Sequence, residues 1–265
     1  MLVDSHCHLN MLDLSDFDNT LQNVIDAAHE NDVRLFLCVS VEFDDHKILS
    51  DIASRYPDVY FSVGVHPTGH HQEHIDESEL SKVAGMYPKC IAIGETGLDY
   101  YRQNDEATIK QQQWAFRNHI RTSKTLKKPL IIHTRSAAED TLRIMREENA
   151  QDIGGVMHCF AEDWEIAQQA LALNFYISFS GIVTFKNAKT LQDVAKKVPA
   201  DRMLIETDAP FLAPTPFRGK QNHPALVRHV AECVAVLRNE SYERIAEQTT
   251  ENFNRCFRLP IEDRA

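Results

Sequence analysis

Short apolar runs recur from one end of the chain to the other, separated by longer stretches whose apolar positions repeat with helical period. The runs are LVDSH (2–6), RLFLCVS (34–40), VYFSVGVH (59–66), CIAIGE (90–95), PLIIH (129–133), GGVMHCF (154–160), FYISFSG (175–181) and RMLIETD (202–208). Most are continuously apolar, the pattern of strands buried on both faces in a parallel sheet. Between them, Leu21, Val24, Ile25 and Ala28 keep the i, i+3, i+4, i+7 spacing of an amphipathic helix, as do Leu226, Val230, Val234 and Leu237. A long polar helix is predicted over IKQQQWAFRNHIRTSKTLKK, with Ile109, Phe116 and Ile120 on its apolar side. Eight strand–helix alternations in a length typical of one domain predict a (β/α)8 TIM barrel over residues 1–265. A doubly wound open sheet is the competing arrangement. The segment after the eighth run, APFLAPTPFRGKQNHP (209–224), contains four prolines and reads as a long loop.

Composition narrows the partners. A formal charge of −11 argues against a broad basic surface for nucleic acid, though a local site whose field is reversed by bound cations stays open. No apolar run approaches the roughly 20 residues of a membrane span. The first residues lack a basic segment followed by an apolar one, so a cytoplasmic location without a leader is expected. Cys7, Cys38, Cys90, Cys159, Cys233 and Cys256 lie singly in apolar or helical segments and read as buried free thiols. No obligate protein partner is visible.

Chemistry collects at the carboxyl ends of the strands. His6 and His8 end the first run, His66 the third, Glu95 the fourth, His133 the fifth, His158 the sixth and Asp208 the eighth. In a barrel that is the face that carries active sites. Alternation along a strand points residues two apart the same way, so both imidazoles of HCH face inward. The same rule puts Glu206 and Asp208 on one face, Asp208 to ligate and Glu206 one layer deeper to orient a histidine. A lone histidine at a strand end is ordinarily a hydrogen-bonded core residue, and His66 alone would be read so. Four histidines and two carboxylates together would be a costly buried cluster without a counter-charge, which divalent ions supply. The set suffices for two ions, with Glu95 placed to bridge them. Imidazole and carboxylate without thiolate suits Zn²⁺, Mn²⁺, Co²⁺ or Mg²⁺. Surface placement is expected for His29, His46, His119 and His229 in helices, and for His70, His71 and His74 in a polar loop.

The ordered series DSHCHL (4–9), GVHP (64–67), GETGLDYY (94–101), HTR (133–135), HCF (158–160), FSGIVTF (179–185), ETDAPFLAP (206–214) and RGKQN (218–222) resembles the TatD family of metal-dependent hydrolases, within the amidohydrolase-like barrels. The resemblance implies a two-metal centre and assigns ligand roles to His6, His8, Glu95, His133, His158 and Asp208. Family members include deoxyribonucleases, some of them 3′-to-5′ exonucleases on single strands, and some relatives deacylate misacylated transfer RNA. Related barrels often bridge two metals with a carboxylated lysine where this chain has Glu95. Asn10, Ser136, Ala209 and Phe211 depart from the family's usual residues near where substrate should dock, and none of them removes a proposed ligand.

The leading expectation is therefore phosphodiester hydrolysis of a single-stranded nucleic acid or a nucleic-acid end. Paired ions would activate water and clamp the attacking and leaving oxygens. Asp208 would act as general base, with Glu95 beside it in the catalytic centre. His66, Arg135, Arg218 and Lys220 would hold phosphate oxygens. Tyr100 and Tyr101 would stack bases or simply pack over the rim. The alternative keeps the metals and changes the bond, giving an ester or amide hydrolase such as a D-aminoacyl-tRNA deacylase. A non-catalytic metal-binding scaffold ranks last, because structural zinc sites usually saturate with cysteine.

Overall fold

In a computed structural model, which describes residues 1–69 and 76–259, all eight expected strands form. They are β1 (Leu2–Cys7), β2 (Val33–Cys38), β3 (Val59–Val63), β4 (Cys90–Asp99), β5 (Leu130–Arg135), β6 (Gly155–Met157), β7 (Phe175–Phe179) and β8 (Met203–Ile205). They follow one another in chain order in a single sheet, and helices alternate with them. This is a (β/α)8 barrel, so the open doubly wound sheet is set aside. The chain divides into two compact units. One comprises Met1–Phe36, Cys159–Trp164 and Ile177–Ala265, the other Leu37–His158 and Glu165–Tyr176.

In the first unit, α1 (Leu21–Glu30) buries Val24, Ile25 and Ala28, three of the four positions its spacing picks out. Thr20 caps this helix by accepting the Asn23 N–H. Helices α8 (Val227–Arg238) and α9 (Tyr242–Cys256) pack on β1 and bury Val230, Val234, Ile245 and Phe253. The two ends of the unit are tied through Asp4, fully buried, whose carboxylate accepts the Thr207 N–H at 2.9 Å and the Thr207 hydroxyl at 2.5 Å. Residues 209–223 form neither helix nor ladder strand beyond one parallel bridge, Cys7 to Ala209. Asn222 pins this loop by donating to the Thr207 and Phe211 carbonyls.

In the second unit, α4 (Glu106–Leu126) packs on β4, capped by Asp105, which accepts the Thr108 N–H. Its buried face carries Gln112 and His119 as well as Phe116 and Ile120. These two polar residues are two turns apart on one side, and both bond main-chain groups, Gln112 at the end of β4 and His119 in the segment just after β3. Gln112 brackets Asp99, accepting its N–H at 2.9 Å and donating to its carbonyl at 3.2 Å. His119 accepts the Val65 N–H at 3.0 Å on Nε2 and donates from Nδ1 to the Ala115 carbonyl. The expected surface placement of His119 and His46 is therefore corrected: 0 % and 8 % of these residues is exposed. A helix face can carry an imidazole inward when the ring satisfies main-chain groups there, as His46 does with the Phe43 carbonyl. His70, His71 and His74 lie outside the described residues.

β4 runs four residues beyond the expected stretch, through Asp99, and its pairing with β5 shifts between Ile93 and Thr96. An extra residue sits on β4 there, at Gly94–Glu95, and such a bulge re-aims the side chain it carries. Gly97 is required in the extension. Its φ is +139°, and a Cβ would lie 2.0 Å from the His133 carbonyl oxygen. All six cysteines are free thiols, Cys159 and Cys233 half-buried and the other four buried. Among the described residues, no helix is long and apolar enough to cross a membrane.

Candidate metal centre

Each unit assembles its own set of nitrogen and oxygen donors. In the first, His6 and His8 leave β1 with their Nε2 atoms 3.3 Å apart and their rings edge to face. Asp208 Oδ1 lies 3.6 Å from one and 3.4 Å from the other. β8 ends at Ile205, so Asp208 is not placed by strand alternation with Glu206. It sits in left-handed backbone, φ +59°, and donates its N–H to the His6 carbonyl at 2.9 Å. Glu206 is fully buried, and its Oε1 accepts the Cys159 N–H at 2.8 Å, holding the backbone at the residue after His158. Burial pushes the Asp4 carboxyl up to about 8, against the lowering effect of its bonds from Thr207.

In the second unit, three imidazoles converge on one carboxylate oxygen. Glu95 Oε1 is 2.7 Å from His158 Nε2, 2.9 Å from His133 Nδ1 and 3.4 Å from His66 Nε2. Burial alone would raise the Glu95 carboxyl; the surrounding His158, His66 and His133 rings outweigh it and hold the group well below the ordinary carboxylate range. Burial pushes His66 down to about 3, so this ring is neutral and stands among the possible ligands rather than acting as a surface cation. Its Nδ1 meets the Thr68 hydroxyl at 2.8 Å. His133 goes the other way: burial opposes its charge, but Asp99 and Glu95 together raise it above the ordinary imidazole value.

The two sets meet what a divalent cation needs. A carboxylate oxygen offers about two lone pairs, so three ring nitrogens crowding Glu95 Oε1 exceed what hydrogen bonds alone would order. The His6 and His8 nitrogens likewise face one another and a carboxylate. In both groupings, His6–His8–Asp208 and His66–Glu95–His133, the ligand atoms all lie within 4.8 Å of one another. No thiolate takes part, which favours borderline or hard ions over copper(I).

Of the four groups expected to hold substrate, His66 is buried, while Arg135, Arg218 and Lys220 are exposed. Arg135, at the end of β5, lies with its guanidinium carbon 3.9 Å over the Tyr101 ring. Arg218 is stacked 4.1 Å over Phe185. Lys220 is exposed in the loop. Tyr101 is 65 % exposed, whereas the Tyr100 hydroxyl is committed to Asp140 at 2.8 Å. Phe211, 49 % exposed, stands edge-on to His8 with ring centres 6.2 Å apart. Sequence reasoning passed over Asp4, Asp99 and His119. The first two had a visible signal: each is an acid within a motif that also carries a proposed ligand, DSHCHL or GETGLDYY.

A barrel with buried imidazole–carboxylate sets at its strand ends defines a metal-dependent hydrolase. The chain belongs to the TatD-related DNase family, which it matches over residues 3–258. It is 47 % identical over 258 residues to YcfH of Escherichia coli strain K12, described as an uncharacterized metal-dependent hydrolase, covering 97 % of this chain and 96 % of that one. YabD of Bacillus subtilis strain 168, described in the same words, is 40 % identical over 98 % of this chain and 100 % of its own. Among solved structures, the TatD homologue YJJV of Escherichia coli K12 superposes with a TM-score of 0.88 at 25 % identity, covering 98 % of both chains.

Proposed function

We propose that this hydrolase cleaves phosphodiesters at the end of a single-stranded nucleic acid, as a 3′-to-5′ deoxyribonuclease, with the chain acting as one catalytic domain. The observation that carries the reading is the pairing of thiolate-free ligand sets with exposed arginines stacked on aromatic rings. Such pairs offer planar, bidentate donors to phosphate oxygens and ring faces to unpaired bases. His6, His8 and Asp208, and Glu95, His133 and His158 with His66 beside them, would hold two divalent ions, which would supply Lewis acidity and lower the pKa of water there.

The chain's own groups do the remaining work. Asp208, with its side chain 13 % exposed, is the most accessible carboxylate of the sets and takes the proton of the attacking water as general base. Glu95, deprotonated across the working range, holds the ring nitrogens around it in place. Arg135 and Arg218 hold phosphate oxygens, and Lys220 adds a screened positive charge at the loop. The formal charge of −11 disfavours a long duplex and favours a substrate held by its end. Six free thiols suit a reducing cytoplasm.

An end-labelled single-stranded oligonucleotide with Mg²⁺ or Mn²⁺ tests this, comparing wild type with Asp208→Asn. Stepwise shortening from the 3′ end, slowed about 10²–10⁴-fold in the variant, is the expected result. Absence of cleavage by protein shown to carry metal would sink the nuclease reading, and aminoacyl esters would then be assayed.

A further inference from the structure

Asp99 ends the extension of β4 with its side chain 1 % exposed, and none of the ligand roles above uses it. Its place is over-determined. Gln112 brackets its backbone on both sides, and its Oδ1 accepts the Tyr101 N–H at 3.0 Å and the Arg102 N–H at 2.9 Å. That leaves Oδ2, which faces His133 Nε2 at 3.4 Å. The Arg102 Nε stands 4.0 Å from the same Oδ2, and among the described residues neither Asp99 Oδ2 nor His133 Nε2 makes a hydrogen bond in this structure. The opposite edge of the same ring, Nδ1, is the one that meets Glu95 Oε1 at 2.9 Å and His66 Nε2 at 3.3 Å. The register explains the reach: Gly97 is paired with His133, and Asp99 lies two residues further along the same strand.

We infer that Asp99 is the positioning residue of the centre: it accepts a hydrogen bond from the Nε2–H of His133, keeps the proton on that nitrogen, and so presents Nδ1, with its lone pair, as the ligand nitrogen. A neutral imidazole has one N–H and one lone pair. A carboxylate at Nε2 can only accept, so it selects the tautomer with the proton on Nε2. With both remaining lone pairs, on Nδ1 and on Glu95 Oε1, aimed at one small volume, a cation is what that volume suits. Carboxylates behind ligating histidines act in this way generally, fixing ring orientation and raising ligand basicity. The inference deepens the proposed function and rests on its reading of His133 as a ligand.

Asp99→Asn makes the sharpest perturbation because the backbone bonds dictate how the amide turns. The Tyr101 and Arg102 N–H groups need the carbonyl oxygen, so the amide NH₂ is driven towards His133 Nε2. Nε2 must then accept, the proton moves to Nδ1, and the ligand lone pair is lost. Full-length protein stripped with chelator and titrated with Zn²⁺ or Co²⁺ alone should show affinity reduced about 10–100-fold in this variant. In loaded protein, kcat should fall while KM for the oligonucleotide holds. His133→Ala in the same titration tests the underlying reading. If both variants bind metal as wild type does, the ligand assignment fails and the inference with it. If His133→Ala loses affinity and Asp99→Asn does not, the assignment stands and the role of Asp99 is overturned. Should Asp99→Asn fail to fold, long-range ¹H–¹⁵N correlation of the ring in zinc-loaded wild type decides. A proton on Nε2 supports the inference, and a proton on Nδ1 overturns it.

Discussion

Replacing His119 with leucine separates two contributions of this ring to stability. The imidazole is fully buried on α4, and burial pushes its pKa down to about 4, with the bond to the Ala115 carbonyl opposing that only in part. In the unfolded chain it titrates at about 6.5. The folded value is the lower one, so the folded state binds fewer protons. Its stabilising contribution is complete above about pH 6.5 and is lost as pH falls through about 4. The full span is about 3 kcal/mol, and about 2 kcal/mol of it is gone at about pH 5. Leucine removes this titration but strands the buried Val65 N–H, which costs about 1–3 kcal/mol at every pH. Urea unfolding in chelator, at about pH 7.5 and about pH 5, reads both. The variant should be the less stable at the higher pH, and the gap should close by about 2 kcal/mol, or reverse, at the lower. A gap that stays constant would refute the neutral, buried acceptor and with it the tie between α4 and the segment that delivers His66.

Other consequences are open to measurement. Glu95→Gln should reduce bound metal below wild-type stoichiometry, read by elemental analysis after dialysis, because it removes the charge on which three imidazoles converge. Gly97→Ala should destabilise by about 3 kcal/mol or more, or prevent folding, since its Cβ would strike the His133 carbonyl; circular-dichroism melting decides. Glu148→Ala should cost about 1 kcal/mol at low salt and less at high salt, because its carboxylate joins Arg117 and Arg121 of α4 at 2.8 Å each; urea midpoints at two ionic strengths check it. Chelation should lower the melting temperature of loaded protein and re-addition of metal restore it, unless the sets bind no ion in the folded state.

The strands and the chemistry at their ends were legible because both depend on local pattern. Continuous apolar runs announce buried parallel strands, and HCH, GET and HTR put polar residues where such runs stop. What escaped the sequence depends on how the backbone bends. Strand alternation predicted a shared face for Glu206 and Asp208, yet β8 stops at Ile205 and Asp208 turns into left-handed backbone, leaving Glu206 to hold the Cys159 amide. Glu95 was read as the end of its run, but β4 bulges there and continues to Asp99, so the carboxylate behind His133 went unseen. His119 was assigned to the surface because helical period cannot tell a solvated imidazole from one bonded to the main chain of a neighbouring segment.

The link between Asp4 and Thr207 also sets a timetable for synthesis. The two residues are 203 positions apart, and at about 5–20 residues per second the ribosome makes them about 10–40 s apart. The second unit is nearly contiguous, most of it in Leu37–His158, and can begin to condense while the chain is still growing. β1 has to wait, a strand that carries His6 and runs into His8, with no β8 yet made. Thr207 and Asp208, which bond Asp4 and the His6 carbonyl, do not exist until translation is more than three-quarters done. Closure of the Asp4–Thr207 link is in this sense a late check on assembly: only a chain that has brought its first strand back to its last can make it.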